Sequence, residues 1–163
     1  MINKPNSFQK MFLRFYMLRA VTAIWPSIQH PLDRLAFKLT KGRYSVSEIL
    51  SGVPVIQLTT SGAKTREART MPLVSMFDGD KIALIASNFG QKRNPGWYYN
   101  LKANPECEVQ FHGSSSKYIA RETAGEEREK YWQLAVSYYK GYELYKIRAA
   151  HRQIPVMILV PAK

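Results

Sequence analysis

The sequence predicts an α+β domain: a small antiparallel barrel of about six strands, with helices ahead of it and inserted late. Three observations predict it. Between residues 53 and 122, short strand-like runs alternate with tight turn signals, Asp78-Gly79-Asp80 and Gly113-Ser114-Ser115 among them. Before residue 43 and after residue 123 the apolar spacing lengthens to three and four residues, the period of helices. A last apolar run at 154–160 returns to strand character.

In chain order, residues 7–25 read as a helix, with Phe8, Met11, Phe12, Phe15 and Leu18 at helical spacing. Leu13, Met17, Ala20 and Ile24 keep the other positions weakly polar, so this helix is expected to touch apolar material on more than one side. Pro26 limits it. Pro31 is suited to start a second helix to about Thr40, with Leu32, Leu35, Ala36 and Leu39 inward and Gly42 as the stop. Strands are expected at 53–59, 69–77, 81–87, 106–112, 117–122 and 154–160. Asn94-Pro95 caps a short helix that ends before Pro105, and Thr123-Ala124-Gly125-Glu126 matches a capping box opening a helix to about Tyr139. Gly141 breaks that helix, and a shorter one follows at 143–150. The chain thus divides into a basic helical segment, 1–45, and a barrel, 46–163.

A length of 163 residues fits one domain with a substantial core. The formal net charge of +12 is the unusual number, and residues 1–43 hold eight bases against one acid, Asp33. Such a field attracts acidic lipid, nucleic acid or a phosphorylated small molecule. Nucleic acid is set aside, because the bases are spread over helices and turns without a binding signature. Cys107 is the single cysteine, so no disulfide forms within the chain and a cytoplasmic location is expected. His30, His112 and His151 are isolated, which predicts no metal site. Arg14 and Arg19 interrupt any signal-peptide core, and no stretch reaches the roughly 20 apolar residues of a membrane span. No Gly-x-Ser-x-Gly elbow and no paired carboxylates point to a hydrolase.

The candidate site centres on a turn dense in hydroxyls and bases: Thr59, Thr60, Ser61, Gly62, Ala63, Lys64, Thr65, Arg66 and Arg69. It is not a Walker loop, since Lys64 does not follow glycine. Backbone N–H groups, hydroxyls and charged side chains in such a turn hold anions; a solvated hairpin kept soluble by its bases is the plainer alternative. Downstream, Asn94-Pro95-Gly96-Trp97-Tyr98-Tyr99 supplies aromatics, either as a wall for a flat ring or as core, with Trp97 and Leu101 the better core candidates. Tyr138, Tyr139, Tyr142 and Tyr145 form a tyrosine-dense stretch, facing a cavity or solvent. Together these suggest a large anionic cofactor with a planar head.

Leu58-Thr59-Thr60-Ser61-Gly62-Ala63-Lys64-Thr65, Arg69-Thr70-Met71-Pro72-Leu73, Ala86-Ser87-Asn88, Asn94-Pro95-Gly96-Trp97-Tyr98 and Asn100-Leu101-Lys102-Ala103-Asn104-Pro105 resemble the deazaflavin (coenzyme F-420)-dependent nitroreductase and quinone reductase family. The likeness spans most of residues 53–160. It implies a split β-barrel of the flavin-binding, pyridoxamine-phosphate-oxidase-like kind. It also implies that Ala63, Lys64 and Thr65 lie on the loop holding the cofactor's anionic part, and that Arg69, Thr70, Met71 and Pro72 follow its side chain. Ala86, Ser87 and Asn88 would approach the deazaflavin, flanked by Trp97, Tyr98 and Asn100. Val74, Tyr139, Tyr142 and Tyr145 would line the substrate side. The chain departs from the family where Asn88 replaces a lysine, Ala63 a frequent arginine, and Val74 a tyrosine. The first two departures are expected either to weaken tail binding or to shift it to Arg66, Lys92 or Arg93.

The reading that follows is an oxidoreductase passing a hydride from reduced coenzyme F-420 to a quinone, enone or nitro compound. Ser87, Tyr139 and Tyr142 are the candidates to stabilise the charge left on the acceptor. FMN on the same barrel is the alternative cofactor, and a non-enzymatic lipid- or anionic-ligand-binding module the alternative class. The working unit is expected to be a monomer or homodimer. The N-terminal helix either lies on an anionic membrane at the inner face of the cell membrane or packs on the barrel or a second subunit.

Overall fold

The fold is described from a computed structural model, covering residues 6–15 and 18–162, with side chains left aside at 10, 14, 15, 19–27 and 30. Expectations resting on Phe15, Met17, Ala20 and Ile24, or on the charges of Lys4, Lys10, Arg14 and Arg19, therefore fall outside the described side chains.

Among the described residues, seven strands make one sheet: β1 (Val55–Ser61), β2 (Ala68–Val74), β3 (Met76–Asp78), β4 (Lys81–Ile85), β5 (Glu106–Phe111), β6 (Ser114–Glu122) and β7 (Val156–Pro161). Their order is β2-β1-β5-β6-β7-β4-β3, and every pairing is antiparallel. The two outermost strands, β2 and β3, are separated in sequence by Ser75 alone. One segment can reach both ends of a sheet only if the sheet curls until its ends approach each other, the curled antiparallel sheet of a split β-barrel. The expected strand 69–77 is therefore two. Ser75 takes the break, fully buried, donating from its N–H (3.0 Å) and its hydroxyl (3.5 Å) to the Pro54 carbonyl.

Alternation along the strands sorts two cores. Ile82, Leu84 and Ala86 with Met157 and Leu159 join Ile56, Leu58, Val109, Trp97 and Leu101 on one side of the sheet. Ala83, Ile85, Val156 and Ile158 face the other way, against Tyr131, Trp132 and Ala135. Both faces of β4 and β7 are buried, which is why these strands read as continuous apolar runs.

Among the described residues, six α-helices surround the barrel: α1 (Ser7–Phe15), α2 (Arg19–Leu39), α3 (Val46–Ser51), α4 (Gly96–Ala103), α5 (Gly125–Tyr138) and α6 (Gly141–Arg148). The expected division at Pro26 and Pro31 is corrected: α2 runs through both. Each proline removes only one N–H, and the rest of the ladder carries the helix. The inward assignment of Leu32, Leu35 and Leu39 is also corrected, since they are 41%, 53% and 75% exposed. Asp33 and Phe37 turn inward instead. The Asp33 carboxylate accepts the Ser47 N–H (2.9 Å) and hydroxyl (2.5 Å), an arrangement that fixes which side of α2 faces α3. Thr123 does not cap α5; Ala124 precedes the helix, and the Thr123 hydroxyl donates to the Val156 carbonyl (3.0 Å).

The N-terminal segment packs on the barrel. Gln9 Nε2 donates to the Ile49 carbonyl (3.1 Å), tying α1 to α3. Gly113 N–H donates to the Gly42 carbonyl (3.0 Å), joining the segment after α2 to the β5–β6 hairpin. Gly42 is at φ +79°, and a side chain there would collide with Gln110.

Candidate active site

The candidate residues fall into two groups linked by β2 and α4. The first group is the β1–β2 turn. Ala63, Lys64, Thr65, Arg66, Arg69 and Thr70 are all exposed. The turn closes through Gly62 N–H to the Glu67 carbonyl (2.8 Å) and Arg66 N–H to the Gly62 carbonyl (2.9 Å), with Arg66 at φ +62°. Asn100 of α4 braces it: its Oδ1 accepts the Ala63 N–H (3.0 Å) and its Nδ2 donates to Thr60 Oγ1 (3.0 Å). Arg66 reaches Asn104 at the end of the same helix. Arg69 pairs with Glu67 at 3.3 Å, both well exposed, whereas Lys64 has no carboxylate partner among the described residues. Thr70 is tied to Thr59, hydroxyl to hydroxyl, at 2.8 Å.

The second group lines a cavity of about 170 Å³ between the barrel mouth, α5–α6 and the N-terminal helices. It gathers Met71, Pro72 and Val74 from β2, Ser87 and Asn88 after β4, and Trp97 from α4. Tyr139, Tyr142 and Tyr145 close the far side. From Arg69 to Val74 the strand covers about 17 Å at 3.3 Å per residue, so β2 leads from a cationic turn to an aromatic chamber. Two predicted residues lie elsewhere. Ala86 is fully buried in the barrel core, and Tyr98 turns its hydroxyl to Glu122 (3.1 Å).

The tyrosines are buried rather than solvent-facing: Tyr139 is 9%, Tyr142 5% and Tyr145 3% exposed. Their rings meet edge-on at 5.5–6.1 Å, and the Tyr139 and Tyr145 hydroxyls are 3.2 Å apart. Gly141 allows this packing, because a side chain there would overlap the Tyr139 ring. Burial pushes the Tyr142 phenol well above the ordinary tyrosine range, with Tyr145 adding to the rise. Burial also raises Tyr145, against the bond from Tyr139 and the nearby Arg148. Both phenols are therefore neutral O–H donors at neutral pH. No hydrogen bond among the described residues engages the Ser87 hydroxyl, which leaves it available to a ligand.

Sequence reasoning missed two contributions. Arg152 fans its guanidinium under the Ser87–Asn94 loop, donating to the carbonyls of Ser87 (2.8 Å) and Gln91 (3.1 Å) and to Asn94 Oδ1 (2.5 Å). It holds a strained segment, for Asn88 and Phe89 both have positive φ (47° and 56°) ahead of Gly90. Nothing local to His151-Arg152 marks this role. The N-terminal helices also wall the cavity, with Phe12 and Leu13 from α1, Gln29 from α2, and Ser47 and Ser51 from α3. Among the described residues no cluster of His, Cys, Asp or Glu is placed to hold a metal.

The donor set suits an elongated anion carrying a flat head: an uncommitted lysine and exposed arginines at one end, rings and a free hydroxyl at the other. Known proteins point the same way. Residues 34–161 match the family model described as F420H(2)-dependent quinone reductase. The chain is 34% identical over 126 residues to the F420H(2)-dependent quinone reductase Rv1261c of Mycobacterium tuberculosis (strain ATCC 25618 / H37Rv), covering 76% of this chain and 83% of that protein. It is 41% identical to a solved F420-H2 dependent reductase (FDR-A), with a TM-score of 0.61 over 65% of this chain and 93% of that one. A second solved structure, described as a domain-swapped dimer, is 36% identical with a TM-score of 0.63 over 77% and 93% of the two chains. The chain belongs to the F420H(2)-dependent quinone reductase family.

Proposed function

We propose that this chain reduces a quinone at the expense of reduced coenzyme F420. The observation that carries the reading is the joining, along β2, of the Lys64 turn to a ring-lined cavity that holds Ser87. When bound, the reduced deazaflavin supplies a hydride equivalent. Lys64, with Arg66 and Arg69 beside it, would hold the anionic tail, while the backbone at Ala63, fixed by Asn100, would offer further polar contact. Met71 and Pro72 would flank the bound molecule, and Trp97 would set the plane of its head.

Reduction of a quinone puts negative charge on its oxygen. Ser87, the neutral phenol of Tyr142 and the hydroxyl of Tyr139 are the donors placed to stabilise that charge and, through water, to deliver the proton. The same donor set suits a nitro or enone oxygen. Family membership favours the deazaflavin over FMN, and an enzyme over a lipid- or anionic-ligand-binding module. We place the reaction in the cytoplasm, where Cys107 stays a thiol. The working unit is a monomer or a homodimer, the second supported by the domain-swapped relative.

The test is to titrate the protein with coenzyme F420 and with FMN, following fluorescence and melting temperature, then to measure turnover with a quinone. Tight binding of coenzyme F420 and turnover are expected. Lys64→Ala is expected to weaken cofactor binding about tenfold or more, the equivalent of one charge-assisted bond. Unchanged affinity in a folded Lys64→Ala protein would remove Lys64 from the site, and tighter binding of FMN would replace the cofactor.

A further inference from the structure

Ser87 and the tyrosines are not the only polar groups on the cavity wall. The N-terminal helices line it with Phe12 and Leu13 of α1, and beside these apolar side chains stand Gln29 of α2 and Ser47 and Ser51 of α3. Ser47 and Ser51 are both buried, 8% and 9% exposed. Four residues apart on one helix, they share a face. Gln29 Nε2 reaches the Ser47 hydroxyl at 2.6 Å. The three side chains form one polar patch, on elements that carry none of the donors assigned above.

A chain of hydrogen bonds fixes what this patch presents. The fully buried Asp33 carboxylate can only accept, so the Ser47 hydroxyl, 2.5 Å away, donates to it. Ser47 Oγ is then the acceptor for Gln29, and the Gln29 amide must turn its Nε2 toward it. Gln29 Oε1 is left over: it is buried and accepts no hydrogen bond among the described residues. A buried acceptor without a partner is rare, and costly until something fills it. Ser51 supplies the opposite function. Its oxygen accepts the Val53 N–H (3.1 Å), while no hydrogen bond among the described residues uses its hydroxyl hydrogen. The patch therefore offers one free acceptor and one free donor.

We propose, building on the quinone reading above, that Ser51 and Gln29 form a second oxygen subsite. It holds the far oxygen of a para-quinone while the near oxygen meets Ser87 and the tyrosines. A para-quinone carries a carbonyl at each end of its ring, and both oxygens accept hydrogen bonds. Its reduction takes up one hydride from the reduced cofactor, which is thereby oxidised, and one proton from solvent. An O–H is left at each end. The far oxygen thus changes from acceptor to donor within one turnover. The Ser51 hydroxyl matches the first state and Gln29 Oε1 the second. An enone or a nitro compound has a polar group at one end only and leaves both unpaired. The patch selects acceptors with two opposed oxygens, because a site built to pair a polar group rejects the analogue that lacks it.

Anaerobic calorimetry on the full-length protein, with and without oxidised coenzyme F420, tests the subsite through binding rather than turnover. Two ligand pairs differ in the far oxygen: para-naphthoquinone against α-tetralone, which keeps one carbonyl, and the corresponding hydroquinone against α-naphthol, which keeps one hydroxyl. In the parent the two-oxygen member of each pair should bind about tenfold tighter, the effect of one hydrogen bond to a group otherwise unpaired. Ser51→Ala should erase the quinone preference and keep most of the hydroquinone preference; Gln29→Leu should do the reverse. Ser51→Ala also strands the Val53 N–H, so melting temperature is followed in parallel. Gln29→Leu leaves α3 intact and carries the test alone if Ser51→Ala does not fold. Equal affinity within both pairs in the parent, or preferences that survive both substitutions, overturns the proposal. Intact preferences without quinone turnover would strike the proposed reaction and leave the subsite standing. Turnover without the preferences would do the opposite.

Discussion

At the scale of single residues the chamber depends on phenols that burial keeps protonated. Tyr142 is 5% exposed, and both burial and Tyr145 push its phenol upward. A raised pKa favours the neutral form, so the hydroxyl persists as a donor through the alkaline range in which a free tyrosine ionises. Tyr142→Phe removes only that hydroxyl from a ring still held by Trp132, Tyr139 and Tyr145. We expect quinone turnover to fall roughly tenfold with cofactor affinity unchanged, the loss of one donor to developing charge. Tyr142→Ala should also lower the melting temperature, because it deletes a buried ring worth about 3–5 kcal/mol. Ultraviolet titration of the parent should show a phenol ionising well above the others. Equal loss of cofactor binding and turnover in Tyr142→Phe, or a Tyr142 that titrates like free tyrosine, would make it packing only.

At the scale of elements, the loop between β4 and α4 is the fragile part of the site. It presents Ser87 and Asn88 to the cavity, carries two non-glycine residues at positive φ, and is held from below by Arg152. Burial lowers the Arg152 pKa from its ordinary value, yet the guanidinium remains charged. Arg152→Ala strands the Ser87 and Gln91 carbonyls, at a cost of about 2–3 kcal/mol. Cofactor affinity and turnover should drop together, and amide exchange at 87–91 should quicken ahead of the barrel strands. An Arg152→Ala protein with parental exchange in that loop would show that its backbone holds its own shape.

The same loop marks where sequence reading stops. The turn at 62–67, β2 and the tyrosine stretch were legible because local chemistry labels them: hydroxyls with bases, alternating apolar positions, repeated phenols. The capping box Ser45-Val46-Ser47-Glu48 was legible too, with the Ser45 hydroxyl accepting the Glu48 N–H at 3.0 Å, yet the expected scheme had no α3. Arg152 was not legible, since its partners lie some sixty positions back and meet it only through the β4–β7 pairing. Nor was the break at Ser75, which exists because the sheet curls rather than because residue 75 disfavours a strand. The prolines of α2 misled for a related reason: tertiary contacts through Asp33 and Phe37 outweigh two missing hydrogen bonds.

At the scale of the whole molecule, the N-terminal helices and the barrel form one working unit, with Phe12 and Leu13 lining the same cavity as the tyrosines. The cofactor's proposed route along β2 reaches the chamber from the cationic turn. Acceptor and cofactor should therefore respond differently to the same substitutions. Leu13 packs partly buried against the core that contains Tyr139 and Tyr142, so Leu13→Ala opens the acceptor wall without touching the turn at Lys64. Losing that contact should raise the quinone KM about tenfold, following the few methylenes removed from an apolar wall. The affinity for coenzyme F420 should stay within a factor of about two, as expected for sites that do not share contacts. Steady-state kinetics with quinones of increasing ring size sharpen the test, because a widened chamber should favour the larger acceptor. A Leu13→Ala protein that loses cofactor affinity as strongly as acceptor affinity would place the helices over the cofactor and move the acceptor elsewhere.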